Sequence, residues 1–181
     1  PIEQTITCAS DTTSSIIYQY DSLRQSSEDY MLVPTALKKY NPEIHAYETQ
    51  ATYGYDLQGR IIEVTDRNDL HTSYIWGYSG LCIVAKVDNA TTAQLKSISG
   101  LSNIDSSPLA AGIEDYESSL RAIAGVQVTS FSYKPLVGLI RIKDPSGKSI
   151  RYDYNKHGKL YTIVDHFGHI VNKYHYSTDN K

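Results

Sequence analysis

Hydrophobic and polar positions alternate in short runs along most of this chain. Ile62 and Val64 flank Glu63, Ile140 and Ile142 flank Arg141, and Tyr161 and Ile163 flank Thr162. Side chains two apart share one face of a strand, so each run predicts a strand with an apolar and a polar face. Aromatic pairs follow the same spacing at Tyr18/Tyr20, Tyr53/Tyr55, Phe131/Tyr133, Tyr152/Tyr154 and Tyr174/Tyr176, and Tyr74/Trp76/Tyr78 extends it to three. Between the runs, segments 56–59, 144–147, 155–158 and 165–168 each place Asp or Asn first and Gly last. That order suits a type I turn, in which the Asx side chain accepts a bond from the turn backbone and Gly takes the positive-φ exit. Asp56, Asp144, Asn155 and Asp165 are therefore read as turn formers, with Gly59, Gly147, Gly158 and Gly168 closing the turns. Segment 66–69 is a worn copy with Asp69 in the glycine place, a residue that tolerates left-handed φ better than most. Strand, turn and strand in succession predict an antiparallel meander.

The units resemble one another. Tyr53-Gly54-Tyr55-Asp56-Leu57-Gln58-Gly59-Arg60-Ile61 returns as Tyr152-Asp153-Tyr154-Asn155-Lys156-His157-Gly158-Lys159-Leu160. Such self-similarity, at a period of about 21 or 22 residues, marks a repeat architecture.

One stretch breaks the repeat. Between Asp88 and Gly125 the tyrosine pattern gives way to helical spacing. Thr91-Thr92-Ala93-Gln94 offers a capping box, with Leu95 and Ile98 on one face and Gly100 as a stop, which predicts a helix over 92–99. Ser107 and Pro108 then read as cap and first turn of a second helix over 108–124, with Leu109, Ile113, Tyr116, Leu120 and Ile123 on its apolar stripe. Acidic Glu114, Asp115 and Glu117 come early, Arg121 late and Gly125 beyond, as the helix dipole favours. The predicted fold is mainly β, an antiparallel hairpin meander with an inserted helical hairpin of two helices. Its organisation is an N-terminal β segment (1–87), the helical insertion (88–126) and C-terminal hairpins (127–181), compatible with one continuous domain.

Composition adjusts this picture in a few places. A chain of 181 residues can bury roughly 70% of its unfolded surface. A formal net charge of -3 argues against a nucleic-acid partner, which calls for a basic patch or stripe. No apolar run is long enough for a membrane-spanning helix. Pro1-Ile2-Glu3-Gln4 reads as an internal start, so the expectation is a piece of a longer chain. Cys8 and Cys82 permit a single disulfide or two isolated buried thiols.

Candidate chemistry is sparse. His157, His166, His169 and His175 gather in the last unit with Asp165, but three of the four histidines fall at turns, where polar residues are expected. No metal site and no cofactor are therefore assigned. The recurring Asp returns with the turn, which a catalytic pair has no reason to do. There is no Gly-x-Ser-x-Gly elbow and no glycine-rich phosphate loop, so no catalytic residue is assigned and the chain is read as a non-enzyme. Asn89-Ala90-Thr91 matches a glycosylation sequon but is read as a helix cap. The aromatic stripe has two readings: cross-strand rungs worth about 0.2–1 kcal/mol each, or a platform that stacks on sugar rings. Tyr74, Trp76 and Tyr78 are the most site-like part of it.

The units Tyr-x-Tyr-Asx-x-x-Gly-basic-aliphatic resemble the YD-repeat, or RHS-repeat, proteins of bacteria. Trp76-Gly77-Tyr78, Asp88-Asn89-Ala90-Thr91 and Tyr133-Lys134-Pro135-Leu136-Val137-Gly138 are similar to longer stretches of such surface proteins. The resemblance runs from about Tyr18 to Tyr176 and implies a secreted or cell-surface bacterial protein, some members of which coil into shells around a C-terminal toxin. The segment that ends those shells has no counterpart here, since Asp144-Pro145-Ser146-Gly147 leads into an ordinary strand. The expected function is a non-catalytic structural segment of a shell or fibre, whose partner is the remainder of its own chain. The alternative is a module that binds surface glycan or protein through exposed aromatic residues.

Overall fold

The computed structural model describes residues 2–8, 11–24 and 30–176, and for 2–8, 11–14 and 24 the backbone alone. Among these residues twelve strands are hydrogen-bonded in chain order with no crossover: β1 (Ile2–Cys8), β2 (Asp11–Arg24), β3 (Tyr30–Asn41), β4 (Ala46–Tyr55), β5 (Ile61–Asp66), β6 (His71–Gly77), β7 (Cys82–Asp88), β8 (Gln127–Lys134), β9 (Gly138–Lys143), β10 (Ser149–Tyr154), β11 (Leu160–Val164) and β12 (Ile170–Lys173). Pairing is antiparallel from β1 through β6 and from β8 through β12. The expected mainly β meander is what forms.

The turns follow the local chemistry of their first and fourth residues. Gly59, Asp69, Gly147, Gly158 and Gly168 each donate their amide to the carbonyl of the Asp or Asn three residues back, at 3.0–3.1 Å. All five have positive φ, from 61 at Asp69 to 88 at Gly168. One Asx oxygen accepts from the amide four residues on in every copy: Arg60, Leu70, Lys148, Lys159 and His169. Asp69 therefore occupies the glycine place as the worn copy predicts.

Three of these hairpins share an irregularity. Tyr55 pairs with Ile61 while Gly54 pairs with Glu63, Tyr154 pairs with Leu160 while Asp153 pairs with Thr162, and Val164 pairs with Ile170 while Ile163 pairs with Asn172. Ile62, Tyr161 and Val171 are thus the extra residues of β-bulges in the strand after each turn. A bulge bends its strand and strengthens the local twist.

The chain divides into two compact units: Pro1–Tyr74 with Asp88–Pro108, and Ile75–Val87 with Leu109–Lys181. The division falls inside the inserted stretch. In the first unit Leu95, Leu101, Ile104, Ala90 and Ile62 are buried. The helix α1 (Thr92–Leu95) starts on the expected capping box, Thr91 accepting from the Gln94 amide and Gln94 from the Thr91 amide. It ends earlier than its periodicity predicts, passing into tight turns in which Ser97, Ile98 and Leu101 donate to carbonyls three residues back.

In the second unit Ile75, Val84, Val87, Ile113, Leu120 and Val128 are buried. Here the predicted helix over 108–124 shrinks to α2 (Glu117–Arg121). The backbone of its expected first turns is engaged elsewhere: Leu109 donates to Trp76 O at 2.9 Å, while Ser79 donates to Leu109 O at 2.9 Å and Tyr78 to Ala111 O at 3.0 Å. The Leu109 and Ala111 carbonyls would otherwise have accepted from later amides of the helix, so no helical turn opens at Pro108. Gly100 and Gly125, at φ 87 and 77, lie where the stops are expected.

The last paired strand lies at Ile170–Lys173, slightly before the expected Tyr174-His175-Tyr176. Tyr174 still donates its amide to Tyr161 O at 2.9 Å. Cys82 carries a free thiol, and the Cys8 side chain lies outside the described residues.

Candidate functional site

None of the sixteen tyrosines is buried, and Tyr18, Tyr20, Tyr30, Tyr47, Tyr161, Tyr174 and Tyr176 are exposed. The hydroxyl of the second tyrosine of a pair recurs in one role. Tyr55 donates to Pro34 O at 2.7 Å, Tyr154 to Leu139 O at 2.8 Å and Tyr176 to Leu160 O at 2.8 Å. In each case the main-chain ladder to the preceding strand has ended, at the pairs Thr52/Ala36, Arg151/Arg141 and Lys173/Thr162. The tyrosine stands three positions beyond the last paired residue of its own strand, and the acceptor two positions before that residue's partner. The hydroxyl thus continues the pairing where the two backbones part, and satisfies a carbonyl that the ladder leaves.

The rings remain half-open. Burial, followed by the neighbouring Tyr18 hydroxyl, raises the Tyr53 pKa above its ordinary value, and Tyr55 is raised by burial and then by Tyr53 and Tyr20. Two successive pairs of the first unit therefore lie close on one face.

Tyr74, Trp76 and Tyr78 are all half-buried. Tyr78 packs edge to face on Tyr133, with centroids 5.8 Å apart. Its hydroxyl donates to Tyr133 O at 2.9 Å and accepts from Tyr133 N at 3.1 Å. That phenol is committed to main chain.

The second unit holds a feature the sequence did not announce, a groove of about 540 Å³ lined by Glu114, Ser132, Lys134, Ile140, Arg141, Arg151, Tyr152, Asp153 and Tyr154. Cross-strand register explains it: Ser132 pairs with Arg141 and Arg141 with Arg151, which places three polar side chains in a row across β8, β9 and β10. Ser132 Oγ donates to Glu114 Oε1 at 2.7 Å and accepts from Arg141 Nη2 at 3.3 Å. Arg151 Nε donates to Asp153 Oδ1 at 3.0 Å, and Thr162 donates to Asp153 Oδ2 at 3.0 Å. Ser132 Oγ thus sits between the Glu114 carboxylate and the Arg141 guanidinium, and Arg151 is paired with Asp153. Ser130 Oγ, buried one pleat away, lacks a hydrogen-bond partner among the described residues.

Beside the groove, Glu117 is buried and takes Lys143 Nζ and Arg121 Nε at 2.9 Å each. Burial pushes its carboxyl up, but hydrogen bonds from Lys143 and Arg121 and their charges outweigh that and hold its pKa below the usual value. Arg121 also donates to Asp144 O at 2.9 Å and Pro145 O at 3.2 Å, fastening α2 to the β9–β10 turn.

The turn carboxylates are saturated by their own turns. The Leu70 amide is the leading cause that lowers the Asp66 pKa, the Ser146 hydroxyl that of Asp144 and the His169 amide that of Asp165. His166 and His169 flank the Phe167 ring, with centroids 5.5 and 6.2 Å from it. Among the described residues no three His, Cys, Asp or Glu side chains gather as a metal set, and none of the helices is long and apolar enough to cross a membrane.

No family model matches the chain, and no curated protein matches it. Among solved structures it is similar to the crystal structure of TcdB2-TccC3-Cdc42, with 13% identity and a TM-score of 0.50 over 88% of this chain. It is similar to TcdB2-TccC3 without its hypervariable C-terminal region, with 12% identity and a TM-score of 0.50. The Photorhabdus luminescens Tc holotoxin pore gives 14% identity and a TM-score of 0.51 over 90% of this chain. This chain spans 8% of the length of each of those chains. At these identities the likeness is one of fold, and it supports an RHS-type meander.

Proposed function

We propose that this chain is a structural segment of a longer bacterial secreted or cell-surface RHS-repeat protein, adding strands to a shell or fibre wall and performing no catalysis. The observation that carries the reading is the repeated hairpin closure. At three strand pairs, β3–β4, β9–β10 and β11–β12, a tyrosine hydroxyl at one fixed offset extends the pairing beyond the end of the ladder. A repeat array builds extended walls in this way, because each unit contacts only its neighbours. The fold likeness to parts of much longer Tc toxin chains supports the same reading. The test is electron microscopy of the longest natural chain that contains this segment. The expected image is a continuous wall in which the segment's strands carry on into the next; a separate globular module on a tether would overturn it.

A second reading rests on the exposure of the tyrosines, none of which is buried. Open aromatic faces suit sugar rings or a partner protein at the cell surface. Titration against a panel of polysaccharides, followed by Trp76 and tyrosine fluorescence, separates the readings: a saturable response lost in Trp76→Ala with the fold intact favours the binding module.

A further inference from the structure

The hairpin tips of the second unit differ in kind at its two ends. Strand direction alternates, so the turns after β8 and β10 emerge at one end, and those after β9 and β11 at the other. The second set carries Asp144 and Asp165. The first carries Lys134, Lys156, His157 and Lys159, all exposed, and no carboxylate in the turns themselves. The bend after β6 joins this basic end through the Tyr78–Tyr133 contact. Two carboxylates, Glu114 and Asp153, line the groove with Lys134 and are held by Ser132, Arg151 and Thr162.

Two leucines stand out on the same tips. Leu81 is 81% exposed and Leu136 is fully exposed. Leu136 sits at φ 62, inside a turn closed by Val137 N donating to Lys134 O at 3.0 Å. That third turn position is one that Gly or Asn fills at no steric cost. A leucine there is strained and wholly solvated, gaining nothing from the fold. Exposed apolar tips in a row with lysine-bearing turns have the chemistry of an interfacial contact with anionic lipid, where leucines enter the headgroup boundary and lysines pair with phosphates.

We infer that this end of the second unit, with Leu81 and Leu136 at its points and Lys134, Lys156 and Lys159 around them, docks on an anionic lipid surface. The contact is peripheral, since the tips reach no further than the headgroup layer. It is compatible with a wall segment lying against a membrane and does not depend on that role.

Co-sedimentation of the full chain with vesicles of phosphatidylserine and phosphatidylcholine tests it, with pure phosphatidylcholine vesicles as the neutral arm. Binding is expected to the anionic vesicles alone and to weaken as salt rises. Lys134→Gln and Lys156→Gln should each lower partitioning about fivefold. Leu136→Asn should lower it severalfold while leaving the melting temperature equal or higher, because Asn relaxes the left-handed backbone. Leu81→Ser provides a second apolar deletion that leaves the turn backbone unchanged. The inference fails if the chain does not sediment with anionic vesicles at low salt, or if neutral vesicles capture it equally. Undiminished binding by both leucine variants would also overturn it, leaving only charge adhesion.

Discussion

Replacing Gly158 isolates the cost of a left-handed backbone from every other contribution. Its φ is 72, and a Cβ built there meets no atom within 4 Å. Nothing has to move, so only the backbone term remains. Holding an L-residue in this region costs about 1–2 kcal/mol, while removing glycine's freedom from the unfolded chain returns about 0.4–1 kcal/mol. Gly158→Ala should therefore destabilise by about 0.5–1 kcal/mol. Gly158→Val should cost roughly 2 kcal/mol, because branching at Cβ crowds this region further. Gly158→Asn should lie near zero.

The chain contains its own control. Asp69 fills the equivalent place at φ 61 with its side chain 91% exposed, so Asp69→Gly should stabilise by a few tenths of a kcal/mol. Equilibrium unfolding in urea, followed by tyrosine fluorescence, gives all four values. Val, Ala and Asn variants with the same midpoint would refute the assignment of 155–158 as a turn with a left-handed exit.

Glu117→Gln should destabilise by about 1–3 kcal/mol, since it removes the charge that faces Lys143 and Arg121 at a buried site. The Glu117 pKa is lowered in the fold, so its contribution is fully present above the ordinary carboxylate pKa and is lost as pH falls through the lower folded value. The parent should lose stability across that acid window more steeply than the variant, and parallel pH profiles would count against the pair. Tyr55→Phe and Tyr154→Phe should each cost about 1 kcal/mol, the worth of one hydrogen bond, and the double variant should show their sum, because the two hydroxyls belong to separate units. Ser130→Ala should be neutral or stabilising by up to about 1 kcal/mol, since it deletes a buried hydroxyl without a partner among the described residues; a clear loss of stability would reveal a water or ligand bonded there.

The hairpins were legible because their determinants lie within five residues: an Asx oxygen, a glycine exit and alternation on either side. The capping box at Thr91 was legible for the same reason. Pro108 was not, because its competitor, the backbone of Trp76 to Ser79, lies about thirty residues away in the chain, and no local signal reports it. The groove was equally hidden. Ser132, Arg141 and Arg151 become a row only through a register that bulges and turns set together, and Glu114 reaches them from the stretch that the sequence assigns to a helix. The stripe at Tyr74, Trp76 and Tyr78 was visible as spacing, but the commitment of the Tyr78 hydroxyl to Tyr133 was not.

The same distinction explains why tyrosine rather than phenylalanine stands at positions 55, 154 and 176. Where a ladder ends, the two backbones separate and leave a carbonyl facing a gap one side chain wide. Phenylalanine at Tyr55, Tyr154 or Tyr176 would fill that gap with the same ring and leave the carbonyl unpaired. Each hydroxyl instead spans the gap at 2.7–2.8 Å while its ring stays partly open to solvent. The closure recurs at three strand pairs, β3–β4, β9–β10 and β11–β12, each time at the same offset from the last paired residue. A binding site asks for tyrosines at one place only. The recurrence of the closure in both units, with the acceptor two residues before the last paired partner at all three places, weighs toward the proposed wall reading over the binding one.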